Sequence, residues 1–155
     1  MRKIIFLLII ILSLPSILCA ADPIIGTWKL NISKSKFPPN QPAPKEQVET
    51  YRELADGQIE LTYQSTEKDG SSMLLVGTYP IQGGVAVGKV EALKGSFIHT
   101  RISQDEWYET ILRDGKQIMT IYKKISNDGK TMRQTVRRQD NEGQTVEVLL
   151  IYERQ

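Results

Sequence analysis

The sequence predicts an all-β fold: an antiparallel up-and-down β-barrel of about 8–10 strands. Two observations carry this. Apolar and polar residues alternate with period two over most of the chain, as where Ile59, Leu61 and Tyr63 oppose Glu60, Thr62 and Gln64. Turn pairs then punctuate the alternating runs, at Asp56-Gly57, Asp69-Gly70, Asp114-Gly115, Asp128-Gly129 and Glu142-Gly143. Glycine accepts the positive φ that tight hairpins need and aspartate bonds its own backbone, so Asp-Gly between such runs marks a hairpin. Consecutive antiparallel strands leave two open edges unless the sheet closes on itself, and closure removes both. A two-sheet sandwich is the alternative, but the hairpin-by-hairpin order favours the meander.

Residues 1–21 have the pattern of a secretory leader. Arg2 and Lys3 form a positive start, Ile4–Leu18 is an apolar stretch broken by Pro15, and small residues follow at Ala20 and Ala21. The stretch is shorter than the ~20 residues a spanning helix needs, so the expected outcome is cleavage after Ala20 or Ala21, with no stable membrane insertion afterwards. Cys19, the sole cysteine, sits where a lipid-acceptor cysteine would, but the bulky Leu18 before it fits that processing poorly. Cleavage would leave residues 22–155 as a single domain without cysteine, held by its core alone. Lys and Arg number 20 against 18 Asp and Glu over the whole chain. Loss of Arg2 and Lys3 balances the signs, so no general attraction to nucleic acid or anionic membrane is expected.

The strands are expected near 24–31, 46–55, 58–67, 72–80, 85–93, 96–103, 106–113, 116–125, 130–139 and 144–153. Between the first two, Phe37–Pro44 ("FPPNQPAP") has four prolines in eight residues. Proline removes ladder donors, so this segment reads as a covering loop. Gly83-Gly84 reads as a turn.

The opening of the first strand, Gly26-Thr27-Trp28, resembles the Gly-x-Trp signature of the lipocalin and calycin barrels. The longer run "GTWKLNISKSKF" is similar to small exported bacterial proteins described as lipocalin-like and without an assigned activity. The resemblance implies that Trp28 packs across the closed barrel end and that a basic residue after the last strand, here Arg154, lies over its ring. The second lipocalin motif, a Thr-Asp-Tyr in a mid-barrel loop, is absent.

Chemistry is harder to place. His99 is the only histidine, no nucleophile elbow surrounds any serine, and no paired ligand spacing suggests a metal, so neither a catalytic residue nor a cofactor is assigned. If the barrel is hollow, one strand register lines it with Ile59, Leu61, Tyr63, Phe97, Ile118 and Tyr122. Of these, Tyr63, Phe97 and Tyr122 are candidate ligand contacts. His99 and Arg101 share the Phe97 face and would bond the polar head of a ligand if that face is inward. The plainer expectation is that they face solvent. Arg133, Arg137 and Arg138 read as an exposed charged strand, and adjacent Trp107 and Tyr108 should point to opposite faces. The expected function is a non-enzymatic exported barrel binding a small, partly apolar molecule. The alternative is a structural or protein-interaction module of the cell envelope with a filled core. Nothing in the sequence specifies an oligomeric state.

Overall fold

The computed structural model describes residues 21–39, 41–81, 85–90, 95–140 and 142–155. The leader with Cys19, the Gly83-Gly84 pair and residues 91–93 of the fifth expected strand lie outside them. Ten strands run among the described residues: β1 (Gly26–Leu30), β2 (Glu46–Glu53), β3 (Gln58–Thr66), β4 (Ser72–Pro80), β5 (Val85–Val90), β6 (Gly95–Arg101), β7 (Glu106–Arg113), β8 (Lys116–Ile125), β9 (Thr131–Gln139) and β10 (Thr145–Arg154). Each pairs antiparallel with its sequence neighbours, and β1 pairs with both β2 and β10, so the sheet closes into a barrel. The β4–β5 ladder is short, with Gly77 opposite Val90 and Thr78 opposite Lys89.

Local chemistry sets the corners. Asp114 and Gly115 both take positive φ, 50° and 73°, the geometry of a two-residue turn whose twist matches its strands. After β1 the chain makes a 3-10 turn at Ile32–Lys34, where the Asn31 side chain accepts from the Lys34 backbone N–H. The proline-rich segment then runs over β10 and β9. Lys36 bridges to Leu149, Phe37 packs on the core, and Arg138 donates to Gln41 at 2.7 Å.

One end of the barrel, the base, carries the segment before β1 and the loops after β2, β6 and β8. The other end, the mouth, carries the proline-rich loop and the β7–β8 turn. Inward residues nearest the base form a dense apolar layer of Ile24, Trp28, Tyr51, Ile59, Tyr79, Trp107, Ile125, Met132 and Tyr152, all buried. Large apolar side chains at this end exclude water and supply the fold's hydrophobic stabilisation. Trp107 is buried while its neighbour Tyr108 is exposed, and Arg133 and Arg137 lie on the outer surface. Among the described residues no helix is long and apolar enough to cross a membrane.

Candidate ligand-binding site

One inward step from the base layer toward the mouth, the barrel is crossed by a layer of polar side chains: Glu49 from β2, His99 from β6, Glu109 from β7, Lys123 from β8 and Gln134 from β9, all buried. Lys123 Nζ lies 3.1 Å from Glu109 and 3.8 Å from Glu49, and it donates to the Tyr51 hydroxyl at 2.8 Å. The Tyr51 hydroxyl in turn donates a hydrogen bond to Glu49 at 2.5 Å. Glu49 also accepts from Gln134 at 2.8 Å and from the Tyr152 hydroxyl at 3.1 Å, while Gln47 donates to that hydroxyl. His99 Nδ1 stands 3.2 Å from Glu109, and the ring of Tyr79 stacks on its imidazole at 4.2 Å between centroids.

Burial disfavours the charge on Glu109, but the Lys123 ammonium and the His99 contact outweigh it and hold the carboxyl down to about 2. Burial likewise opposes the charge on Lys123, yet Glu109 and Glu49 keep its pKa above the ordinary value. Burial, with the nearby carboxylates, pushes the hydroxyls of Tyr51, Tyr79 and Tyr152 well up, so all three remain neutral hydrogen-bonding groups. Among the described residues one buried side-chain polar atom lacks a partner, the Tyr79 hydroxyl.

Beyond this layer the walls turn apolar. Leu61 and Tyr63 of β3, Leu75 of β4, and Met119 and Ile121 of β8 follow the inward parity of their strands, yet are only half-buried, and Met73 is 49 % exposed. Phe97, Ile111, Val136 and Val148 complete the wall as buried residues. The inward faces therefore pass from a buried polar layer to a set of apolar side chains, several of them half-exposed, with buried Gln47 and Ser65 among them.

The sequence-derived candidates separate clearly. Tyr63 and Phe97 both face inward, Tyr63 half-buried and Phe97 buried. His99 lies in the buried polar layer at 3 % exposure, which corrects the expectation that its face is turned to solvent. Arg101 sits at the base instead, over the Trp107 ring at 5.1 Å, ion-paired with Asp22 and bonded to the carbonyls of Ser103 and Gln104. Tyr122 is a correction: it alternates with inward Lys123 and reaches Glu106 on the outer face. Its strand carries apolar residues on both parities, so alternation alone did not fix which faces in. Glu49, Glu109, Lys123 and Gln134 were missed because alternation scores a polar residue as outward. Gly26, Trp28 and Arg154 meet at the base, where the Arg154 guanidinium carbon is 4.2 Å from the Trp28 ring centroid.

A cleft of about 590 Å³ outside the barrel is lined by Lys29, Leu30, Ile32, Lys45, Glu46 and Glu153 among others. Of its charged residues, Lys29 pairs with Glu46 and Glu153 pairs with Lys34. Among the described residues no group of three or more His, Cys, Asp and Glu side chains could hold a metal ion.

No protein-family model matches the chain, and the curated proteins contain no match to it. Solved structures do resemble it. The fluorescent protein UnaG superposes with a TM-score of 0.50 at 14% identity, over 84% of this chain and 96% of that one. The siderocalin Ex-FABP, described as functioning through dual ligand specificities, gives 0.40 at 13% identity, over 86% and 71%. The likeness is one of fold, a closed antiparallel β-barrel.

Proposed function

We propose that the protein is an exported, non-enzymatic barrel that holds a small, partly apolar molecule in the chamber between its polar floor and its mouth. The observation that carries this reading is the gradient along the inward faces: base residues are wholly buried, whereas Leu61, Tyr63, Leu75, Met119 and Ile121 are apolar, inward and half-exposed. Concave apolar walls with a few convergent polar groups are the usual composition of a small-molecule site. The neutral fluorophore N-phenyl-1-naphthylamine should brighten on binding the folded protein and bind more weakly to Phe97→Glu or Tyr63→Glu. Folded protein that leaves the dye dark contradicts the reading.

A filled-interior module of the cell envelope is the second reading, favoured by the way the polar floor satisfies its own hydrogen bonds. Export rests on the leader pattern of residues 1–21, and places the mature chain in the periplasm or outside the cell. N-terminal sequencing of exported protein should begin at Ala21 or Asp22. A start at lipid-modified Cys19, or a retained leader, contradicts this.

A further inference from the structure

We infer that Asp114–Gly115, the β7–β8 turn at the barrel mouth, is a modification site where the folded chain converts to isoaspartate ahead of its other Asp-Gly pairs, at Asp56, Asp69 and Asp128. The reaction joins the glycine amide nitrogen to the aspartate Cγ. A neutral carboxyl loses its OH, which leaves as water with the amide proton, and a succinimide ring forms. Water then opens the ring. Addition at Cγ restores aspartate. Addition at the main-chain carbonyl breaks that carbon's bond to nitrogen and leaves Gly115 joined through the side chain. The water released is the water returned, so nothing is oxidised or reduced and no other reactant is needed. The rerouted chain carries an extra methylene in a two-residue turn, so the disturbance falls at the mouth and not at the base.

In the other three turns both reacting groups are held. The amides of Gly57, Gly70 and Gly129 donate to the carbonyls of Leu54, Glu67 and Ser126 at 3.1, 3.1 and 2.8 Å. The carboxylates accept in turn: Asp56 from the Gln58 amide, Asp69 from the Ser71 amide and hydroxyl, Asp128 from the Lys130 amide and the Ser126 hydroxyl. Each carboxylate is thereby turned toward the amide beyond the glycine, and an attack must break those bonds. The hydroxyls of Ser71 and Ser126 foremost hold the carboxyls of Asp69 and Asp128 below their ordinary value, and an ionised carboxylate resists attack. At Asp114–Gly115 neither restraint is present among the described residues. The Gly115 amide and the Asp114 carboxylate make no hydrogen bond there, and both residues are exposed. Asp114 is also the one non-glycine among the described residues at positive φ, 50°, so leaving that backbone geometry costs it less than it costs a relaxed residue.

The test is ageing of the folded protein at neutral pH and physiological temperature, then digestion and electron-transfer fragmentation, which separates isoaspartate from aspartate in each peptide. Isoaspartate should accumulate at Asp114 several-fold faster than at Asp56, Asp69 or Asp128. In urea, where the turns are lost, the rates at all of them should converge. Ser71→Ala, which alters an exposed side chain, should speed conversion at Asp69 and leave the rate at Asp114 unchanged. Conversion at any of the other pairs as fast as at Asp114 in the folded protein overturns the assignment. A preference for Asp114 that persists undiminished in urea also overturns it, because neighbouring sequence and not the fold would then be the cause. An unchanged rate at Asp69 in Ser71→Ala overturns the hydrogen-bonded carboxylate as the source of protection.

Discussion

Arg154 lies across the indole of Trp28 and donates at the same time to the backbone carbonyls of Pro23, Ile25 and Gly129. The Trp28 indole N–H in turn donates to the carbonyl of Ile24 at 2.8 Å. The last strand, the first strand and the segment before it are thus fastened at one point, which closes the barrel base. Trp28→Ala should cost about 3–5 kcal/mol as a large core truncation, against a typical total stability of about 5–15 kcal/mol. Arg154→Ala should cost about 2–3 kcal/mol from its cation–π contact and its charged hydrogen bonds. A double-mutant cycle by denaturant unfolding should depart from additivity by at least ~0.5 kcal/mol. Simple addition would mean that the two residues stabilise the base separately.

Gly26 makes that approach possible. Its φ is +134°, and a Cβ there would stand 2.6 Å from Arg154 Nη1. Gly26→Ala therefore combines backbone strain with displacement of the guanidinium, and should cost about 1–3 kcal/mol. In the Arg154→Ala background the penalty should fall, because only the backbone component remains. An equal penalty in both backgrounds would show that the close approach is immaterial.

The segment before β1 is held at its other side by the ion pair of Asp22 with Arg101, both largely buried. Asp22→Asn should cost about 1–2 kcal/mol and raise hydrogen exchange at the base before it does so at the mouth. Unchanged exchange in the base loops would argue against this clamp.

Lys123 is the cation between two buried carboxylates. Lys123→Met leaves both without it and should cost about 3–5 kcal/mol. The ion pairs also set an acid limit. Glu109 titrates near 2 in the folded state against an ordinary 4.5, so its contribution is complete above about 4.5 and is lost as pH falls toward 2. Thermal melts across that window should show the parent protein losing stability steeply on acidification. Lys123→Met should lose less over the same window, because its carboxylates are no longer held ionised. Parallel curves would contradict the pairing.

The strand plan was largely legible because the Asp-Gly turns fix its corners. β4, β7 and β8 span the expected residues, and most other ends differ by one or two. The inward side of each strand was less legible. In β2 the alternation invites Val48 inward, yet Gln47, Glu49 and Tyr51 occupy the interior. A buried carboxylate is tolerable only with donors around it, and apart from Tyr51 the hydrogen-bond donors of Glu49 come from β9 and β10, 85 and 103 residues along the chain. In β8 a register irregularity opposite Ile111 and Leu112 adds to the apolar residues on both parities. The floor is a property of strands meeting across the barrel, which no local window contains.

The chamber is tested most directly by an NMR titration of isotope-labelled protein with N-phenyl-1-naphthylamine. The account predicts shifts concentrated at Leu61, Tyr63, Phe97 and Ile121, with weaker effects at His99 and Glu109 and none in the outer cleft. Shifts confined to the cleft around Lys29, Ile32 and Glu153, or no shifts at all in folded protein, would contradict it.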